Sequence, residues 1–307
     1  MGEVGRVRDY LMDLQQRVCS TLEAIDGDAR FGQDELPREG GGVSRPRVLE
    51  GGAVCEKAAV NFTHTTGNQM PPAATERRPD LAGGTYEAVS ISLIVHPRNP
   101  YAPTCHANFR FFIANPPDGN ANPEAVWWFG GGFDLTPYYG FDEDAIHWHR
   151  TAREACVPFG DDLHGRLKQA CDEYFYLPHR QEPRGIGGVF FDDFTEGGFE
   201  RAFEFVRSIG DAFLVAYSPI LERRKDTPYG DREREFQLYR RGRYAEFNLL
   251  HDRGTRFGLQ AATRVESVLA SMPPLVAWRY DWRPEAGSAE ETLLDRFLTP
   301  RDWLAEG

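Results

Sequence analysis

Two runs decide the fold: EAVSISLIVH at residues 87–96 and TCHANFRFFI at residues 104–113. In the first, Val89, Ile91, Leu93 and Val95 alternate with Ser90, Ser92, Ile94 and His96. In the second, Cys105, Ala107, Phe109, Phe111 and Ile113 alternate with His106, Asn108, Arg110 and Phe112. A period of two sends successive side chains to opposite faces of a strand. The link from Pro97 to Pro103 is rich in turn residues, so the runs make a hairpin with a wide loop. One face is apolar. The other gathers Ser92, His96, His106, Asn108 and Arg110, where a merely solvated face more often carries Lys, Glu and Thr. Two histidines, an amide, a hydroxyl and a guanidinium are a recognition set. A hydrated face with two incidental histidines is the plainer alternative.

Outward from the hairpin, strands come in neighbouring groups and helices in neighbouring groups. Val7, Tyr10, Leu11, Leu14, Val18, Leu22 and Ile25 recur at helical spacing, and Asp26-Gly27 ends that helix. Arg38 to Arg47, rich in Gly and Arg, reads as a loop. Ala125 to Phe129 reads as a strand ending in Gly130-Gly131-Gly132. Phe141 to Cys156 and Asp161 to Phe175 read as helices. Ile186 to Phe191 is a buried strand stopping at Asp192-Asp193, and Phe199 to Leu221 is a long helix. Phe236–Arg240 and Tyr244–Leu250 read as a hairpin around Arg241-Gly242-Arg243. Leu275 to Trp282 reads as a last strand, and Glu290 to Leu298 begins a C-terminal helix. This order predicts an α+β fold with a largely antiparallel sheet, not alternating βαβ units.

The chain has 307 residues, enough for one large sheet-based domain, and a formal net charge of -12. An acidic surface argues against nucleic-acid binding through phosphates. Only Lys57, Lys168 and Lys225 are lysines; the other basic residues are arginines, whose planar fork grips carboxylates at two points. Codon bias in a GC-rich genome is the plainer explanation of that excess, and arginines reserved for an anionic substrate are the functional one. Five widely spaced cysteines without a C-x-x-C pair suit free thiols in a reducing compartment. The charged N-terminus lacks the apolar core of a signal peptide, and no window is apolar enough to span a membrane. A cytoplasmic protein is expected.

Several further residues are candidates for chemistry. His147 and His149 point roughly 200° apart on a helix, so they cannot share one ion from a regular helix. His149 shares a stripe with Ala145, Ala152 and Cys156 and faces the core; His147 faces water. His179 follows a helix, where a cation also serves as a cap. His96, His106, His149 and His179 come from separate elements, and spacing alone does not bring them together. Gly130-Gly131-Gly132 matches no nucleotide fingerprint; it suits close backbone approach to something flat, or a sharp bend. Asp134 beside it is a candidate base with a tuned pKa, or a turn aspartate. Asp252-Arg253 puts a carboxylate and a guanidinium at the end of the later hairpin, or is a turn with a surface ion pair.

These residues carry a resemblance. HPRNPYAPT at 96–104 with His106 and Asn108, WWFGGGFDLTP at 127–137, DAIHWH at 144–149, GIGGVFFDD at 185–193, and EFNL with DRGT at 246–255 all resemble oxygen-dependent coproporphyrinogen III oxidase. The likeness runs from near the N-terminus through Arg301-Asp302-Trp303. It implies a single domain over 1–307: a large, mainly antiparallel sheet flanked by helices on both sides. It implies a homodimer formed through about residues 244–279. It implies that two propionates of coproporphyrinogen III become vinyl groups, giving protoporphyrinogen IX with dioxygen as acceptor. No flavin, haem or nicotinamide is implied. By motif, His106 resembles the proton donor, and His96, His106, His149 and His179 resemble ligands of a divalent metal cation. Ser92, Asn108, Phe109 and Arg110 resemble substrate contacts, as do Ala262, Thr263 and Arg264, although that loop departs from the usual glycine-rich form.

The chemistry gives the remaining roles. Arginines suit a tetracarboxylate substrate, and Asp134 or Asp252 would accept pyrrole N–H groups and support proton removal. Asp134→Ala is expected to abolish turnover while leaving folding intact. A non-haem iron oxygenase with a histidine and carboxylate triad, and a tetrapyrrole carrier without catalysis, are the competing functions.

Overall fold

The computed structural model describes residues 2–38, 41–70, 79–117, 124–260 and 264–305. Helix α1 (Glu3–Asp26) buries Val7, Leu11, Leu14, Val18, Leu22 and Ile25, the stripe that their spacing predicts. It stops at Gly27, whose φ of 79° is the left-handed conformation glycine adopts freely. The Asp26 carboxylate then accepts backbone N–H groups from Ala29, Ala53, Val54 and Cys55, tying the helix end to the first long strand.

The sheet begins with the short strands β1 (Leu36–Pro37), β2 (Gly42–Arg45) and β3 (Val48–Glu50). Long strands follow: β4 (Cys55–Gly67), β5 (Thr85–Pro97), β6 (Thr104–Asn115) and β7 (Val126–Thr136). Strands β8 (Tyr176–Leu177) and β9 (Glu182–Pro183) pair only with each other, and β10 (Gly187–Phe194) closes the main sheet. The order is β1-β2-β4-β5-β6-β7-β10, with β3 also on β4, and every pairing is antiparallel.

The apolar face of β4–β7 meets α1 and two further helices, α2 (Asp142–Cys156) and the long α4 (Gly198–Arg224), in one main core. Helix α3 (Leu163–Tyr174) passes the β10 edge. Its Leu163 and Leu167 belong to that core, while Cys171 joins Phe175, Leu177 and Phe247 on the opposite side. There the second layer is α5 (Asp231–Leu250), whose Tyr244 packs with Ala59, Ile94 and Ala270. Short helices α6 (Arg253–Gln260), α7 (Val265–Leu269) and α8 (Ala289–Thr292) follow. The α+β sheet with helices on both sides is as expected.

Four local expectations are corrected. Residues 231–250 form one helix, not a hairpin. The Arg-Gly-Arg triplet looks like a turn, yet Arg240, Arg241 and Arg243 are buried and answered by Glu182, Glu56 and Glu246. Gly242 serves packing, since a Cβ there would sit 2.9 Å from the Ala277 carbonyl. Residues 275–282 form no strand. That segment lies along α5, with the Ala277 N–H on the Leu238 carbonyl, and so has no ladder to join. Strand β7 runs on through Gly130–Gly132 instead of stopping there, and β2 lies within the stretch read as a loop.

Candidate active site

Strand register builds the site row by row. Ser92 sits beside Asn108, which sits beside Gly132; Ser90 is beside Arg110 and then Gly130; Ile94 is beside His106 and then Asp134. Paired residues share a face, so Ser92, His106, Asn108 and Arg110 stand together opposite the main core. Phe109 does not join them through its side chain, which is fully buried in that core.

His106 is held by its Nδ1 on Asp134 Oδ1 at 2.8 Å, with the ring edge on Phe175. The bond makes Nδ1 the donor and leaves Nε2 as the acceptor nitrogen. Asp134 itself is 1% exposed. Arg184, also buried, donates to both its oxygens at 2.8 and 2.7 Å and to Asn248 at 2.8 Å. The Arg184 guanidinium lies over the rings of Phe175, Tyr244 and Phe247. Burial alone would push the Asp134 carboxyl up, but Arg184 and then His106 outweigh it and hold it below its ordinary value. Asp134 therefore orients His106 from beneath and presents no carboxylate to a ligand.

Arg110 reaches sideways across the sheet. A Cβ at Gly130 would lie 2.6 Å from its guanidinium, so only glycine lets the side chain lie flat there. It donates to Asn108 Oδ1 at 2.8 Å and to Asp192 Oδ1 at 2.6 Å. The other Asp192 oxygen pairs with Arg253 at 3.1 Å. A bulge between Phe191 and Phe194 makes this aim possible. Asp193 takes up the extra residue at φ 52°, so Asp192 stays on the site face while Phe194 returns to the core. Asp193 thus occupies a region costly to a side-chain-bearing residue, about 1 kcal/mol or more.

The Asp252-Arg253 pair arrives from the end of α5, not from a hairpin. The Asp252 carboxylate accepts the Tyr174 hydroxyl at 3.0 Å, the Thr255 N–H at 2.7 Å and the Thr255 hydroxyl at 2.9 Å, and so caps α6. Tyr174 stacks on Phe190 with ring centroids 4.3 Å apart, and Arg253 lies over the Tyr174 ring.

The four histidines assigned to a metal do not converge. His96 donates from Nε2 to the Ser271 carbonyl and faces the Thr104 hydroxyl with Nδ1, so both ring nitrogens are engaged. Burial, then Arg241, push its pKa well below the ordinary value. His149 is buried in the helical layer across the sheet from His106, its Nε2 on the Ile186 carbonyl; burial, then Lys168, push its pKa down to about 3. Helix phase had placed it inward, and its neighbour His147 meets the Val215 carbonyl. His179 pairs with His251 and Glu246. Among the described residues no group of three His, Cys, Asp or Glu side chains could hold a metal ion. The four histidines thus do not fit as one ligand set. Ala262 and Thr263 lie outside the described residues, and Arg264, exposed, pairs with Glu266.

Sequence reasoning missed Asp192, Arg184 and Tyr174. The acidic pair closing a buried strand was a signal for Asp192; Arg184 and Tyr174 gave none. A hollow of about 260 Å³ beside α5, lined by Arg232, Tyr239 and Trp282 among others, lies apart from this group.

Fold and site together define an α+β protein built on one large antiparallel sheet, with a carboxylate-bound histidine and two arginines joined by one aspartate, the equipment of an enzyme for anionic molecules. Residues 6–303 match the family model for Coproporphyrinogen III oxidase. The chain belongs to that family of oxidoreductases of porphyrin and haem biosynthesis, whose substrate is coproporphyrinogen III. Among the described residues no helix is long and apolar enough to cross a membrane.

Proposed function

We propose that this chain converts two propionate groups of coproporphyrinogen III to vinyl groups with dioxygen as acceptor, giving protoporphyrinogen IX. The observation that carries this reading is the arginine pair, Arg110 and Arg253, joined through Asp192, with Arg110 on the same glycine-floored sheet face as His106. Guanidiniums receive propionate carboxylates, and binding through the remote carboxylates positions the reacting one. Asp252, not Asp134, accepts pyrrole N–H groups, because Asp134 is buried between Arg184 and His106 while Asp252 is only half-buried. For each propionate, one dioxygen takes up two electrons. The Cβ–H bond and the bond to the carboxylate break, carbon dioxide leaves, and a carbon–carbon double bond forms. The hydrogen from Cβ and one proton supplied through His106 leave with the oxygen as hydrogen peroxide.

The test is incubation with coproporphyrinogen III in air and under nitrogen, with porphyrin products separated after oxidation. Two vinyl groups are expected in air, with two carbon dioxide molecules per product. Vinyl formation without dioxygen overturns the proposal, and binding without any reaction leaves the carrier reading. Full loss on chelation with stoichiometric iron favours the iron oxygenase instead.

The working form in this proposal is a cytoplasmic homodimer joined through about residues 244–279. Leu249, Leu250, Leu259, Val265, Leu275, Trp278 and Tyr280 are all exposed in and beside that stretch, an apolar grouping that a monomer rarely leaves in water. Five buried free cysteines agree with a reducing compartment. Sedimentation velocity is expected to show a dimer, and Leu250→Glu to shift it toward monomer at micromolar concentration. A wild-type chain that sediments as a monomer refutes the assembly.

A further inference from the structure

We propose that Asp192 is a positioning residue that holds Arg110 and Arg253 together as one receptor for a single propionate carboxylate, without touching the substrate. This rests on the proposed function. Asp192 gives one oxygen to each arginine, at 2.6 and 3.1 Å, from a bulge that costs the chain a left-handed Asp193. Its side chain is 19% exposed, against 30% for Arg110 and 37% for Arg253. It is thus the least exposed of the three side chains, and both guanidiniums keep some access to solvent. Each guanidinium has a second restraint that fixes its plane: Asn108 and the Gly130 floor for Arg110, and the Tyr174 and Phe190 rings for Arg253. Two cations would otherwise repel and splay. Asp192 cancels that repulsion, and burial of its carboxylate is outweighed by the same two arginines. Each guanidinium has five N–H donors, so donors remain for the ligand after these bonds are made. The receptor is built before the substrate arrives, which lowers the ordering cost of binding.

Asp192→Asn removes the charge and keeps the shape. Initial rates in air with coproporphyrinogen III are expected to show KM raised at least tenfold with kcat within about threefold, the signature of lost uniform binding. Fluorescence titration with coproporphyrin III, the non-reacting oxidised tetracarboxylate, should show Kd raised in parallel. Asp192→Glu keeps the charge on a longer arm and should recover part of both. Binding by Asp192→Asn as tight as wild type, or tighter, overturns the proposal, since Asp192 would then compete with the substrate. A fall in kcat at unchanged KM overturns it as well. If Asp192→Asn does not fold, Asp192→Glu decides alone: unchanged KM and Kd count against positioning, and a rise in both supports it. The titration needs no turnover, so an inactive wild type would defeat the functional reading while leaving the receptor testable.

Discussion

Asp134→Ala is expected to lose turnover by about 10²–10⁴-fold and to lose several kcal/mol of stability with it. The structure changes the simpler expectation that folding survives intact. Asp134 is the counter-charge of Arg184, and both side chains are at most 2% exposed. Removing one partner of such a pair strands the other charge and costs about 3–5 kcal/mol. That is a large share of the roughly 5–15 kcal/mol that holds a native protein together. The melting temperature should fall by about 10 °C, taking about 2–4 °C per kcal/mol for a chain of this size class. His106 loses the acceptor that fixes its ring and tautomer, so the fraction that stays folded should still be slow. Asp134→Leu with Arg184→Met removes both charges together. That double variant should regain most of the stability and none of the turnover. Acid titration gives a further check with a fixed sign. The carboxyl is depressed in the folded state, so its contribution is present above the unfolded value of about 3.9 and vanishes as pH falls through the folded value. An Asp134→Ala protein with wild-type melting and turnover would refute the assignment.

The hairpin at residues 87–113 was legible because parity is a local property. Alternation alone put Ser92, His106, Asn108 and Arg110 on one face, and the register agrees. Parity says nothing about what covers that face. Ile94 lies under Tyr244 and Ala270, and His96 two residues along the strand is sealed, while His106 in the same row as Ile94 and Arg110 four rows along keep access to solvent. The same blindness split the metal set. Helix phase correctly turned His149 inward, but inward is the core side of the sheet and His106 stands on the other. The misread stretch at 236–250 has a different cause. Phe236, Tyr239, Tyr244 and Phe247 are all buried along this helix, but Arg240, Arg241 and Arg243 interrupt the apolar pattern. Their burial depends on Glu56, Glu182 and Glu246, two of them far away in the chain, which no local period reports. Asp192 was hidden for a related reason. Its role comes from two arginines on different elements and from a bulge that only the pairing reveals.

Asp252→Asn separates the observed cap role of Asp252 from the proposed catalytic one. As a cap, its carboxylate accepts the Thr255 N–H at 2.7 Å, and asparagine caps a helix about as well as aspartate. The amide nitrogen can turn to Tyr174, whose hydroxyl oxygen already accepts the Arg253 N–H at 3.2 Å. Stability should therefore stay within about 0.5 kcal/mol of wild type, whereas Asp252→Ala should lose about 1 kcal/mol with the cap. In its proposed role as acceptor of pyrrole N–H groups, Asp252 has no such substitute, because an amide neither takes the proton nor balances the charge that develops. Turnover of Asp252→Asn should fall about 10²–10⁴-fold with the fold unchanged. The contrast with Asp134 is the informative part. Both carboxylates are bound by neighbours, but those of Asp134 are a buried guanidinium and an imidazole, while those of Asp252 are a phenol and a helix end beside Arg253. A stable, inactive Asp252→Asn beside an unstable Asp134→Ala assigns the base to Asp252 and the scaffold to Asp134. Turnover above about a tenth of wild type in Asp252→Asn would leave Asp252 as a cap alone and return the search for the base to His106, whose free nitrogen would then have to take the proton it was assigned to give.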